Sequence, residues 1–420
     1  MPDILTFAFL AAWLTTLALR LWLALRQMRH VRQHRDAVPV QFAEKVSLAD
    51  HQKAADYARA KTSLGINGLF IEAALAIAFT LGGGLQWLHE FWQPRLGDLL
   101  GGHAYGIALI LSVGFISSAV DLPLSLYRQF VIEARFGFNR MTLALFLTDL
   151  LKQSALGLVI GVPVLFVVLW LMAAMGSAWW LWVWVFWCAF NLLLLWLYPT
   201  FIAPLFNKFS PLEEGDMKAR IEALLARCGF TSNGLFVMDG SKRSAHGNAY
   251  FTGLGRAKRI VFFDTLLARL SPGEVEAVLA HELGHFHHKH VIKRIVWSFV
   301  ATLGFLWLLA QLAAAPWFFT GLGVDAQNTA LALVLFFLVV PLFLFPFAPV
   351  TSALSRRHEF EADQYAARHA SADDLVRALV KLYADNAATL TPDPLHSLFY
   401  DSHPPAARRI AQLVPTGSGH

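Results

Sequence analysis

The sequence predicts a mainly α-helical protein that crosses a membrane seven times and carries a polar domain of helices with a small β-sheet. Of its 420 residues, 56% are hydrophobic and only 15% are charged, against about 25% charged in an ordinary soluble domain. Most charged residues lie in three segments, residues 26–61, 206–294 and 354–420. A single soluble globule is excluded by this distribution.

Seven apolar runs are long enough to cross a bilayer, which needs about 20 mostly apolar residues in a helix. They lie near residues 4–25, 66–89, 104–127, 155–175, 179–203, 295–317 and 328–352. The predicted organisation is therefore five spans in residues 1–205, a polar segment at 206–292, two spans in 293–353 and a C-terminal polar segment at 354–420.

Lys and Arg alternate between the loops. They are numerous after the first and third runs, whereas the short turns after the fourth and sixth runs contain none. Because cytoplasmic loops carry an excess of these residues, we predict that the N-terminus lies outside and that both polar segments are cytoplasmic. These Lys and Arg residues beside the spans also account for the net charge of +5. The charge therefore gives no indication of a nucleic-acid partner, and we predict none. Cys188 and Cys228 lie in unlike environments, which argues against a disulfide.

Several predicted spans contain ionisable or amide residues. They are Glu72, Asp121, Asp149, Asn191 and Gln311. Since charged groups that face lipid cost several kcal/mol, these side chains should point inward. Two roles for these residues remain open at this point: they could form hydrogen bonds between helices, or they could line a hydrated cavity.

The two polar segments together contain about 150 residues, the size of one ordinary domain. Residues 235–240 and 248–263 have the composition of strands, with a turn through Gly253 and Gly255. Ser271 and Glu274 form a capping-box pattern with Pro272 at the first helical position. These features predict a small sheet with one hairpin, followed by a helix that begins near residue 272.

That helix carries the pattern His281-Glu282-Leu283-Gly284-His285. Positions i and i+4 share a helix face, so His281 and His285 can bind one zinc ion while Glu282 projects toward its open coordination position. Zinc lowers the pKa of a bound water toward about 7, and Glu282 could accept its proton during attack on a peptide carbonyl. The alternative is an exposed polar helix face.

Three further histidines follow the pattern. They are His287, His288 and His290. Because three histidines on consecutive turns of one straight helix cannot converge on a tetrahedral ion, we interpret these three as polar residues at the membrane junction.

A catalytic zinc usually has three protein ligands, so a third is expected elsewhere. Glu359 and Asp363 follow the seventh run, and their spacing of four places them on one helix face. We assign Glu359 as the third ligand and Asp363 as an acceptor that orients a ligand histidine. Glu361 lies about 200° around the helix from Glu359 and is expected to point away from the site. An exposed acidic helix start is the alternative.

Other motifs accompany these two clusters. They are Phe130-Val131-Ile132-Glu133 with Gly137-Phe138-Asn139, Ile202-Ala203-Pro204-Leu205-Phe206, Ser241-Lys242-Arg243-Ser244 with Asn248-Ala249-Tyr250-Phe251, and Ser402-His403-Pro404-Pro405. With this set the chain closely resembles the type I CAAX prenyl proteases, which are integral membrane zinc peptidases of the a-factor-converting kind. The resemblance covers nearly the whole length.

The resemblance implies seven spans around a large water-filled chamber that is capped by the catalytic domain. It implies one zinc ion on His281, His285 and Glu359, with Glu282 as the general base. It also implies that Asn248 and Ala249 lie on an edge strand that pairs with the substrate. His403 and Arg409 match family positions near the scissile carbonyl, where they can stabilise an oxyanion. Without the resemblance, Ser402-His403-Pro404-Pro405 would be interpreted as a turn before a helix.

We therefore expect a zinc-dependent endopeptidase that processes CAAX-type C-termini near the cytoplasmic membrane face, with a peptide, prenylated or not, and the bilayer as its partners. The preference for Ala, Leu and Arg over Lys favours a GC-rich bacterium and its inner membrane. Prenylated substrates would then be missing, so general proteolysis of membrane-associated or misfolded peptides is an alternative. A metal transporter would need ligands within the spans, and cleavage inside the bilayer would need the histidine motif on a span; neither pattern is present.

Overall fold

The structure, a computed structural model, describes residues 2–232, 234–252 and 259–413. Within these ranges, seven helical stretches are long and apolar enough to cross a membrane. They are Asp3–Gln33, Leu48–Phe79, Leu99–Glu133, Leu143–Ala174, Gly176–Leu205, His290–Ala313 and Thr329–His369. Each overlaps one of the seven apolar runs, so the predicted number of spans is confirmed.

The helices are numbered in chain order. Those up to the end of the fifth span are α1 (Pro2–Gln33), α2 (Leu48–Phe79), α3 (Gly84–Leu96), α4 (His103–Tyr127), α5 (Leu143–Ala174) and α6 (Trp179–Leu197). The next are α7 (Asp216–Arg227), α8 (Asp264–Leu267), α9 (Pro272–His287), α10 (His290–Ala313), α11 (Pro316–Thr320) and α12 (Thr329–Leu344). The last are α13 (Ala348–His369), α14 (Ala372–Asp385), α15 (Pro394–Tyr400) and α16 (Ala406–Leu413).

The second span differs from the apolar run that predicted it. The run at 66–89 joins the end of α2 to the start of α3, but α2 ends at Phe79. Gly83 then has φ of 76°, a left-handed backbone conformation that favours glycine, and α3 begins after it. At its other end α2 begins at Leu48, where the Ser47 hydroxyl caps the Asp50 amide. The apolar run at 66–89 therefore covers only the C-terminal, apolar part of α2 and continues into α3.

Four strands form a mixed sheet in the order β1-β2-β4-β3. The strands are β1 (Phe209–Pro211), β2 (Leu235–Met238), β3 (Ala249–Thr252) and β4 (Arg259–Phe263). β2 and β4 are parallel, and β3 pairs antiparallel with β4. The strands predicted at 235–240 and 248–263 are confirmed, β1 was not predicted, and the turn through Gly253 and Gly255 lies outside the described residues. β3 is an outer strand of the sheet.

One hydrophobic core joins the two polar segments. Val275 and Leu279 of α9 pack in it with Ala366 of α13, Leu375 of α14 and Ile410 of α16. All five are buried. Segments that are separated in sequence by the last two spans therefore share a single core.

Charged pairs join the spans to this core region and to each other. The Arg243 guanidinium donates two hydrogen bonds to Asp149 of α5, at 2.8 and 3.0 Å. Asp393, which caps α15, accepts from Arg26 of α1 at 2.9 Å. Glu72 accepts from Arg20 at 2.7 Å, a contact between α2 and α1. Three acidic side chains in or beside the spans thus have protein partners, and the hydrated chamber stays a prediction.

Candidate metal centre

His281, His285 and Glu359 lie together where α9 packs against α13. Their potential ligand atoms all lie within 4.8 Å of one another. The Nε2 atoms of His281 and His285 are 3.3 Å apart, and each lies 3.4 Å from an oxygen of Glu359. The i and i+4 spacing on α9 brings the two rings to one face, and the second helix supplies the carboxylate.

These distances fit a tetrahedral ion. Two ligand atoms bound to zinc at about 2.0–2.1 Å lie about 3.3 Å apart in tetrahedral geometry. The Oε2 atom of Glu359 is also buried and accepts no hydrogen bond within the described part of the chain. Its charged neighbours are more distant, with the Nε2 of His281 at 3.4 Å and a terminal nitrogen of Arg409 at 3.9 Å, and a buried carboxylate oxygen without a hydrogen bond is costly unless a cation satisfies it. Two imidazoles and a carboxylate are a common donor set for catalytic zinc, which leaves a position for water.

The capping box starts α9 as predicted. The Ser271 hydroxyl accepts from the Glu274 amide, while the Glu274 carboxylate accepts from the Ser271 amide at 2.8 Å. Glu274 also pairs with Lys381 of α14 at 2.7 Å. Burial raises the pKa of Glu274. The bonds to Lys381 and Ser271 together lower this pKa by more than burial raises it, so that the pKa ends below its usual value. The first turn of the ligand-bearing helix is therefore held to the core region by a charged pair.

Gly284 allows α9 and α13 to approach closely at the centre. A Cβ atom added there would lie 2.8 Å from the Ala362 Cα and 3.0 Å from the Tyr365 Cβ. Both distances are shorter than ordinary contacts between carbon atoms, which are about 3.5–4.0 Å. Glycine in the middle of the motif thus sets the separation between the two helices that carry the ligands.

Asp363 supports His281 from behind the centre. Its Oδ1 lies 2.8 Å from the Nδ1 of His281, which leaves the Nε2 of that ring for a metal. Burial lowers the pKa of His281, but its bonds to Asp363 and Glu359 raise it more, to about 9. The ring is therefore protonated at neutral pH in the metal-free protein, and a metal has to displace that proton.

His285 is supported through a residue that sequence analysis assigned to the membrane junction. Its Nδ1 lies 3.0 Å from the Nδ1 of His290, and the Nε2 of His290 lies 2.9 Å from the Oε2 of Glu361. His290 is only 2% exposed. His290 lies at the start of α10, as expected for a residue at the membrane junction, but its contact with a proposed ligand was not expected. Glu361 contacts His290 and Arg357, so it is connected to the site indirectly, from the side of α13 opposite Glu359.

The reason is a sharp change of direction between α9 and α10. α9 ends at His287, and Lys289 has φ of 56°, which is uncommon for a residue with a side chain. The three histidines after the motif are therefore not on one straight helix. No sequence pattern marks the left-handed lysine, so nothing indicated that His290 returns to the site.

Arg409 is nearly buried and faces Asp363. Its Nε and one terminal nitrogen donate to the two Asp363 oxygens at 2.8 and 2.6 Å, and it is 6% exposed. Another terminal nitrogen lies 3.9 Å from Glu359. This bidentate contact places the guanidinium behind the ligands and not at an open position.

His403 and Glu282 are neighbours of the proposed ligands, His403 in space and Glu282 in sequence. The Nε2 of His403 is 3.5 Å from Glu359, and 62% of its side chain is exposed. Glu282 is half-buried, and its carboxylate makes no hydrogen bond or ion pair within the described residues. The Nδ1 of His403 lies 3.0 Å from the Ser402 hydroxyl, and its exposed ring is accessible to a molecule that enters the centre.

Asn248 and Ala249 lie at the start of β3. Asn248 is exposed, and its carbonyl accepts from the Phe263 amide of β4 at 3.0 Å. Ala249 pairs with Phe262 in the ladder. β4 covers one side of β3, and within the described residues no strand pairs with the other side, where the Ala249 amide donates to the Asn248 side-chain oxygen at 2.8 Å.

Comparison with known proteins gives a consistent result. A family model described as the CAAX prenyl protease N-terminal region, five membrane helices, matches residues 27–208. A second model, peptidase family M48, matches residues 211–416. CAAX prenyl protease 1 of Saccharomyces cerevisiae is 34% identical over 402 residues, which cover 90% of this chain and 88% of that protein.

Two further similarities extend over nearly the whole chain. The CAAX prenyl protease 1 homolog of Homo sapiens is 33% identical, with 93% of this chain and 91% of that protein covered. The crystal structure of Ste24p from S. mikatae matches with a TM-score of 0.90 and 31% identity, and the match covers 98% of this chain and 99% of that one.

Proposed function

Since this chain belongs to the CAAX prenyl protease 1 family of M48 peptidases, we propose that it cleaves peptide bonds with one zinc ion held by His281, His285 and Glu359. The family is one of membrane metallopeptidases, and the seven apolar helices agree with it. The observation that supports this ligand set most strongly is the proximity of its atoms: the two imidazole Nε2 atoms are 3.3 Å apart, and each lies 3.4 Å from a different oxygen of the Glu359 carboxylate.

Glu282 is the general base of the proposed mechanism. It is adjacent to His281 on α9, and its carboxylate has no competing partner among the described residues. Zinc, when bound, would supply a water of lowered pKa and a Lewis acid for the carbonyl oxygen. Glu282 would accept the proton of that water and deliver it to the leaving amine.

Two further elements serve the substrate. The exposed imidazole of His403 lies beside Glu359 and can donate a hydrogen bond to the developing oxyanion. The free side of β3, at Asn248 and Ala249, would pair with an extended peptide through main-chain hydrogen bonds. This mode of binding fixes the direction of the peptide and reads its side chains weakly.

For Arg409 the contacts favour a different role from the one the resemblance implied. Both Asp363 oxygens accept from this guanidinium, and Asp363 in turn contacts His281. We assign Arg409 to the support of Asp363, because a buried carboxylate that orients a ligand needs its own charge balanced. Oxyanion stabilisation is then left to His403.

The substrates proposed are C-terminal CAAX-type peptides, prenylated or not, as the names of the relatives indicate for those proteins. General proteolysis of membrane-associated peptides is the second candidate, because pairing with the β3 backbone places few demands on substrate sequence. A matched pair of peptides, with and without the prenyl group, separates the two candidates.

The location and organisation are proposed on separate grounds. The alternation of Lys and Arg supports a cytoplasmic catalytic side, and composition supports the inner membrane of a bacterium. The shared core supports one catalytic domain formed from residues 206–292 and 354–420, with residues 1–205 and 293–353 supplying five and two spans.

Replacement of Glu282 tests the mechanism. Glu282→Ala should retain zinc, because Glu282 is not a ligand, while peptidase activity falls by at least about two orders of magnitude. Glu276→Ala is the matched control, since Glu276 lies on the same helix but pairs with Arg227 of α7 at the far side. Metal analysis and peptide cleavage are measured on the same purified samples. Near-normal turnover in Glu282→Ala would overturn the proposed mechanism.

A further inference from the structure

The two ligand histidines are supported in different ways. His281 contacts a carboxylate directly, through Asp363 at 2.8 Å. His285 contacts a second imidazole, that of His290 at 3.0 Å, and only this second ring reaches a carboxylate, Glu361 at 2.9 Å. His290 is buried and Glu361 is partly exposed.

A metal ion bound to His285 would determine the positions of the protons along this chain of contacts. The Nε2 of His285 faces His281 and Glu359, so a metal there requires the proton of this ring to be on Nδ1. That Nδ1–H can donate only if the Nδ1 of His290 is an acceptor. His290 then carries its proton on Nε2 and donates it to Glu361.

Two neighbouring rings hold the plane of His290. The ring of His358 stacks on it at a centroid distance of 4.0 Å and an angle of 15°. His288 is nearly parallel to it at 5.4 Å and 16°. His358 belongs to α13, so the helix that carries Glu359 also supplies a ring that stacks on His290.

We propose that His290 and Glu361 are positioning residues for the metal centre, which orient His285 through the path from Glu361 to His290 to His285. The proposal rests on the proposed function only in taking His285 as a metal ligand. Neither residue touches the metal or the substrate. Because Glu361 acts through His290, the two residues should behave as one unit.

Zinc affinity, measured by competition with a chelator, tests this proposal. His290→Ala should weaken zinc binding by about 10- to 100-fold, the usual effect of removing a partner of a ligand histidine. The double variant His290→Ala, Glu361→Ala should bind zinc no more weakly than His290→Ala alone, because the path is already interrupted. His287→Ala is the matched control, a histidine of α9 whose ring contacts His288 and Tyr365.

Conservative variants separate positioning from a loss of packing. In His290→Asn the amide oxygen can take the place of Nδ1 and accept from His285, so zinc affinity should be largely restored relative to His290→Ala. His290→Gln places its amide near Nε2 and keeps only the contact with Glu361, so it should resemble His290→Ala. The visible spectrum of the Co²⁺-loaded protein, which reports ligand geometry, should shift in His290→Ala and return toward wild type in His290→Asn.

Wild-type zinc affinity in His290→Ala, or additive losses in the double variant, would overturn the proposal. If His290→Ala fails to fold, Glu361→Ala decides the question, and wild-type zinc affinity there would equally overturn it. These results can be distinguished from a failure of the proposed function. In that case the wild-type protein itself would bind no zinc or cleave no peptide.

Discussion

Gly284→Ala should weaken the metal centre without removing any ligand. The added Cβ would lie 2.8 Å from the Ala362 Cα, 3.0 Å from the Tyr365 Cβ and 3.1 Å from the Ala362 carbonyl oxygen. Two of these three atoms are main-chain atoms, so a rotamer change cannot relieve the contact. α9 and α13 must instead move apart locally, by about 1 Å if carbon atoms are to reach ordinary contact distances.

The effect on stability and the effect on the metal differ in size. Overpacking of this kind costs about 1–3 kcal/mol, while replacing glycine in a helix interior by alanine returns about 1 kcal/mol. The net loss of folding stability is therefore small, about 0–2 kcal/mol. Metal sites, by contrast, hold their ligand distances to within about 0.2 Å. A shift of Glu359 relative to His281 and His285 should lower zinc affinity by at least about tenfold.

Gly304→Ala provides the control. Gly304 lies in α10, and a Cβ there has no neighbour within 4 Å. Chelator competition and thermal unfolding are measured for both variants and the wild type. Wild-type zinc affinity in Gly284→Ala would refute the reasoning that this glycine sets the ligand separation. An equal loss in Gly304→Ala would show that the effect is not specific to the interface between α9 and α13.

Three other predictions follow from contacts and charges described above. Asp363→Ala should lower zinc affinity by about 10- to 100-fold, and an unchanged chelator titration would contradict its role. Because His281 has a pKa of about 9 without metal, zinc must displace its proton, so apparent zinc affinity should rise by up to about tenfold per pH unit between about pH 6 and 8. Titrations that show no pH dependence would refute this. A topology reporter fused after Gly176 should be found outside and one fused after His420 inside, and the reverse would exclude a cytoplasmic active site.

The parts of the fold that depend on local pattern were predictable. Seven apolar runs predict seven spans because hydropathy is a property of each run alone. The capping box at Ser271 and Glu274 predicted where α9 starts, since both partners lie within one helical turn. β1 was missed because three residues ending in proline give no alternating pattern.

The site was predictable only in part, and for a related reason. His281, His285 and Glu359 belong to recognisable motifs, and the structure brings their ligand atoms together. The contacts of His290 and Glu361 depend on the left-handed backbone of Lys289 and on packing between two distant helices. Helical periodicity places Glu361 on the side opposite Glu359, but it cannot tell what approaches from that side. Arg409 was linked to the substrate by the resemblance alone. Its contact with Asp363 could not be predicted, because it exists only once α16 packs on α13.

The proposed ligands lie on helices that continue almost directly from the last two membrane spans. His285 is five residues before the start of α10, and α13 follows α12 after a single short turn at Phe345–Phe347. Only short turns separate the two ligand helices from their spans, so the position of the proposed centre is tied to the position of the spans. If the substrate is a membrane-attached peptide, as proposed, this arrangement would favour cleavage of the bond at the matching distance from its attachment point. Selection by reach along the chain would thus accompany the weak reading of side chains by β3.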